Sequence, residues 1–186
     1  MKYNFTLLAG IVLVLFLFAF GIKTNQQQEK LILNGKGFDN YQIGITSISE
    51  IIRELGDNFQ KVDHNGYSTE LIYHDLGLSF YYEPKISETI SAIEFFYPFK
   101  GTTDKGITLN ESTMADVQAV HDSLDWYIAG QAIEWYSEYP GIEYAVPRDT
   151  TLPKYPLDEE LHKKLKITRI VVLDNFEEFE EDKKSP

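Results

Sequence analysis

Hydrophobic positions follow three different rhythms along this chain. The first is an unbroken run from Phe5 to Ile22, eighteen residues without a charge, bracketed by Lys2 and Lys23. As a helix rising ~1.5 Å per residue it would span roughly 27 Å, close to the apolar thickness of a bilayer. Residues 1–23 are therefore expected to be a transmembrane anchor, or a signal peptide for which Ala19 and Gly21 offer a cleavage site. Residues 24–40 open on Thr24-Asn25-Gln26-Gln27-Gln28 and contain Gly35-Lys36-Gly37, and they read as a tether.

The second rhythm is helical. Ile48, Ile51, Ile52 and Leu55 recur at helix spacing, and so do Met114, Val117, Val120 and Leu124. Ser47-x-x-Glu50 precedes the first set and Thr113-x-x-Asp116 the second. Both are capping-box patterns, a hydroxyl followed three residues later by an acid placed beside the open first-turn amides. The third rhythm is an alternation of two. Thr69–His74 and Leu78–Tyr82 flank Leu76-Gly77, and Ile133–Glu138 and Ile142–Val146 flank Pro140-Gly141, both reading as hairpins. Ile90–Phe96 and Ile167–Leu173 supply a further strand each. The pattern predicts an α+β fold of two tandem units, residues 41–100 and 101–175, each a helix followed by a three-stranded antiparallel meander. The second unit carries an insertion at about 148–166, and residues 176–186 form an acidic tail in which Phe176 and Phe179 are the apolar positions.

Ile43, Gly44, Thr46, Glu50, Ile51, Leu55 and Gly56, with Leu109, Asn110, Ser112, Asp116 and Val117 in the second unit, resemble the repeat of the BamE/SmpA–OmlA superfamily, which includes the β-lactamase-inhibitor-protein-like domains with two such repeats. The resemblance covers about Tyr41 to Asn175. It departs at His121-Asp122, where the first unit has Leu55-Gly56, and the lipid-bearing cysteine of the envelope-assembly members is missing. What the resemblance implies is a non-enzymatic, extracytoplasmic protein that binds other proteins through its sheet.

Composition narrows the chemistry. With no cysteine, thiol nucleophiles, disulfides and Cys-ligated metals are excluded. The 29 acidic residues against 17 basic ones give a net charge of −12, which argues against a nucleic-acid partner. His64, His74, His121 and His162 fall in no metal-ligand spacing, and no nucleophile elbow or phosphate loop occurs. The chain is accordingly expected to be no enzyme and to need no cofactor or metal. Its place is expected to be extracytoplasmic, in a bacterial periplasm, held at the membrane through Phe5–Ile22 or released after cleavage.

Strand alternation directs Leu71, Tyr73, Leu78, Phe80, Tyr82, Ile93 and Phe95 to one face, under the helices. The other face is expected to carry Glu70, Ile72, His74, Ser79, Tyr81, Glu94 and Phe96, joined in the second unit by Glu134, Tyr136, Glu138, Glu143, Ala145, Arg169, Val171 and Leu173. Within it Ile72, Tyr81, Phe96, Tyr136, Glu134, Glu138, Arg169 and Val171 form the candidate protein-binding face, because aromatic and aliphatic groups mixed with charges suit an interface. The competing reading of that face is a surface covered by the insertion or by the chain's own edge. A second function also fits the residues: a small-molecule or glycan binder, or a hydrolase, using Glu134, Glu138 and Glu143 with Trp126, Tyr127 and Trp135.

Overall fold

The computed structural model describes residues 30–121, 124–129, 132–137, 141–147 and 159–174, with the backbone alone for 124–129, 132–137, 159 and 162. Twelve strands dominate it. β1 (Lys30–Leu33), β2 (Gly37–Phe38), β3 (Tyr41–Gln42) and β8 (Gly101–Thr103) make a small sheet of order β3-β2-β1-β8, in which β1 and β8 run parallel, with Lys30 opposite Gly101. A second sheet holds β4 (Gln60–His64), β5 (Ser68–Tyr73), β6 (Leu78–Tyr82), β7 (Ile90–Phe96), β12 (Arg169–Leu173), β11 (Ile142–Pro147), β10 (Ala132–Ser137) and β9 (Leu124–Ala129), in that order and antiparallel throughout. The chain enters this sheet from both edges and meets in the middle, where β7 pairs with β12.

Helix α1 (Ile48–Leu55) and helix α2 (Met114–Val120) each start at a closed capping box. The Glu50 amide donates to Ser47 Oγ at 3.3 Å while the Ser47 amide donates to Glu50 Oε2 at 2.9 Å. The Asp116 and Thr113 pair repeats this at 3.3 and 2.7 Å. Those bonds hold both acids below the usual carboxylate pKa, the backbone bond being the larger cause. Gly56, at φ 83°, ends α1 as its amide donates to the Ile52 carbonyl. A single helical turn, α3 (Glu159–His162), follows later in the chain.

The helices and the small sheet cover one face of the large sheet. Ile48, Ile51, Met114 and Val117 join Leu71, Phe80, Ile93, Phe95, Ile170 and Val172 in one continuous core. Phe38 of the small sheet meets Phe95 edge-on at 5.0 Å, and Tyr41 meets Phe80 in the same way at 5.4 Å. Such aromatic edges add to the burial energy and fix how the two sheets sit together.

The architecture corrects the sequence reading in several places. The class is mostly β with two sheets, and not α+β built from helices with three-stranded meanders. The helices have only eight and seven residues, and each run of strands after them has four. The additional strands, β4 and β9, are the edges of the large sheet. β4, Gln60-Lys61-Val62-Asp63-His64, is polar on both sides apart from Val62, as edge strands are, and so carries no two-residue apolar signal. The expected tether is also revised from Lys30 onward, since Ile32 and Phe38 are buried in the core. Among the described residues no helix is long and apolar enough to cross a membrane, against the membrane and transmembrane-helix expectation. Phe5–Ile22, residues 148–158 of the insertion, Glu138 and the tail 176–186 lie outside the described residues.

Candidate functional site on the outer face of the large sheet

The face turned away from the core is organised by register. One row crosses five strands as Ile72, Ser79, Glu94, Val171 and Glu143, and Tyr136 of β10 takes the next position. The adjacent row runs Phe96, Arg169, Ala145, Glu134. On the other side of the first row Glu70 faces Tyr81. Register partners lie ~4.8 Å apart per strand, so seven of the eight candidate residues occupy neighbouring positions on one surface. The eighth, Glu138, lies outside the described residues, as do the side chains of Tyr136 and Glu134. Ile72, Tyr81, Phe96, Arg169 and Val171 are each half-buried, and none belongs to the core. Glu70, Ser79 and Ala145 are buried, so part of this face is closed to water.

A polar network runs through it. The Tyr81 hydroxyl donates to Glu94 Oε2 at 2.9 Å, and Arg169 Nη1 lies 3.7 Å from the other Glu94 oxygen. His64 Nε2 lies 3.1 Å from Glu70 Oε2, and the His64 ring stacks beside Tyr81 at 6.1 Å. At the next row His74 meets Phe96 at 6.4 Å and bonds to Gln60 Oε1 at 3.0 Å. Sequence alternation finds Glu70, Glu94 and Tyr81, but His64 and Gln60 escape it because β4 carries no periodic signal.

Electrostatics argues against acid–base work by Tyr81. Burial, then the carboxylates of Glu94 and Glu70, push its hydroxyl far above the ordinary phenol range, so it stays protonated and acts as a fixed donor. Burial also raises Glu94, opposed by Arg169 and by the Tyr81 bond, and burial alone raises Glu143. Glu143 is the only acid of the alternative glycan or hydrolase set whose side chain is described. Among the described residues no three His, Asp or Glu side chains are grouped to hold a metal ion.

The two raised carboxyls give a pH signature. Each has a folded pKa above its unfolded value of 4.5, so the folded chain holds more protons in the window above pH 4.5. Their contribution is complete below that value and is lost as the pH rises through the folded pKa. Glu94→Gln and Glu143→Gln should therefore each gain melting temperature relative to wild type as the pH rises above 4.5. A difference between variant and wild type that stays flat across that window would remove the burial argument. The lowered acids of the two caps act on the opposite side, losing stability as the pH falls.

Comparison with solved structures finds the same general fold in the uncharacterized protein yfeY from Escherichia coli, at 14% sequence identity and a TM-score of 0.53, covering 78% of this chain and 99% of that one. No protein-family model and no curated protein sequence matches the chain. At that identity the likeness concerns the fold alone.

Proposed function

We propose that this chain is an exported, extracytoplasmic protein-binding module without catalysis, whose partner seats on the outer face of the large sheet. The observation that carries the reading is the row structure of that face. Ile72, Phe96 and Val171 stand half-buried outside the core, beside Tyr81 and Arg169, which Glu94 already holds in place. Aromatic and Arg anchors fixed before binding lose little side-chain entropy on docking, which is the economy that makes such residues binding hot spots. The resemblance to the BamE/SmpA–OmlA superfamily supports the same class of function, and the apolar run Phe5–Ile22 supports export.

The test places a photo-crosslinking amino acid at Phe96, at Val171 and at Arg53, an exposed position on α1. In living cells the Phe96 and Val171 forms should capture one common protein that the Arg53 form does not. Protease added to spheroplasts should digest the described domain. Capture equal from Arg53, or a protected domain, would overturn the corresponding half of the proposal.

A further inference from the structure

A concavity lies among the small sheet, the end of α1 and the turns that follow β5 and β7. It is a cleft of about 440 Å³, within the size range of small-molecule sites. Its floor is Tyr41, Leu78 and Phe99, all buried, and Leu55 and Leu76 stand at its rim. Tyr41 contributes no charge there, because burial and then Glu54 push its hydroxyl pKa up to about 12.

Four charged side chains line the cleft, and they are not equivalent. Lys30 faces Asp39 at 3.8 Å and lies 5.2 Å from the Phe38 ring centre, so that pair is internally compensated. Lys100, on the β7–β8 connection, makes no ion pair or hydrogen bond among the described residues. Asp75, on the β5–β6 turn, receives among the described residues only the neutral Asn58 amide, at 3.5 Å. The cleft thus presents, beside an apolar floor, one cation on the β7–β8 connection and one anion on the β5–β6 turn, neither held in an ion pair among the described residues. A ligand with a single sign of charge would be attracted by one of these groups and repelled by the other. A polyanion such as phosphate would in addition find nothing to cover the floor.

The geometry points to this cleft as a binding site for a small zwitterion with an apolar body, such as a free apolar dipeptide presents. Its carboxylate meets Lys100, its ammonium meets Asp75, and its side chains lie on Leu78 and Phe99. The site is independent of the outer face and of any protein partner there.

Methyl NMR of the full chain, titrated with phenylalanyl-leucine, tests it. Saturable shifts are expected at the Leu76 and Leu78 methyls. Acetylating the dipeptide amine or amidating its carboxylate should each weaken binding about fivefold, the upper value for one exposed ion pair. Asp75→Asn and Lys100→Gln should do the same on the protein side, whereas Lys105→Gln and Phe96→Ala should leave the affinity unchanged. All four side chains stand clear of the core, so these variants keep the fold. No saturable shift at Leu76 and Leu78, or capped dipeptides binding as tightly as the free one, would overturn the assignment. Loss of the shifts in Phe96→Ala would instead place the ligand on the outer face and equally end it.

Discussion

Gly77→Ala should cost the fold roughly 3 kcal/mol or more in urea denaturation, a large effect for adding one methyl group. Gly77 has φ 67°, in the left-handed region, and a Cβ there would run into the Phe96 carbonyl oxygen. It would also stand 2.5 Å from the Phe99 nitrogen and 2.9 Å from the Pro98 nitrogen. All three are backbone atoms, so no side chain can swing aside. Gly106 supplies the control, with φ 81° and nothing within 4 Å of its would-be Cβ. Gly106→Ala should therefore show the conformational cost alone, about 1 kcal/mol. If the two variants lose the same stability, the close approach at Gly77 is not what holds the turn. The contact matters for function because the Gly77 carbonyl accepts the Phe96 amide at 2.9 Å. One glycine thereby positions an outer-face aromatic and the Leu76–Phe99 side of the cleft together.

What the sequence makes legible is whatever is local. Ser47 and Glu50, or Thr113 and Asp116, are three residues apart, and the helix they start needs nothing distant to be recognised. The hairpin around Gly77 is legible for the same reason, and two-residue alternation sorts Leu71 and Phe80 inward from Ile72 and Tyr81 outward. The small sheet is a different matter. β2 and β3 have two residues each, too few for any period, and β1 finds β8 some seventy residues away, in a parallel pair that no turn announces. The edge strand β4 hides because a strand exposed on both sides has no reason to alternate. Without those strands the pattern reads as α+β, since the two helices then weigh more than eight and seven residues should. No local pattern announces the cleft. Lys30, Tyr41, Leu55, Asp75 and Lys100 come from five separate segments, and only the closed fold puts them around one space.

Phe95 and Phe96 are neighbours in sequence that should fail in opposite ways. Phe95 has no exposed surface, meets Phe38 edge-on at 5.0 Å and Phe99 at 4.9 Å, and so ties the small sheet to the large one. Truncating it removes the ring's transfer energy and leaves a cavity that β7, held by β6 on one side and β12 on the other, cannot collapse to fill. Phe95→Ala is expected to lose about 3–5 kcal/mol. Phe96 points the other way, half-buried, with the His74 ring at 6.4 Å and Arg169 as its register partner. Phe96→Ala should lose on the order of 1 kcal/mol, because water can replace the ring without leaving a void. Binding should reverse the ranking. At a temperature where both variants remain folded, a crosslinker at Val171 should still capture the partner in Phe95→Ala and should capture much less in Phe96→Ala. A stability loss at Phe96 equal to that at Phe95 would mean the outer face is packed rather than presented. Undiminished capture in Phe96→Ala would mean the partner seats elsewhere, because a single ring cannot be a hot spot and dispensable at once.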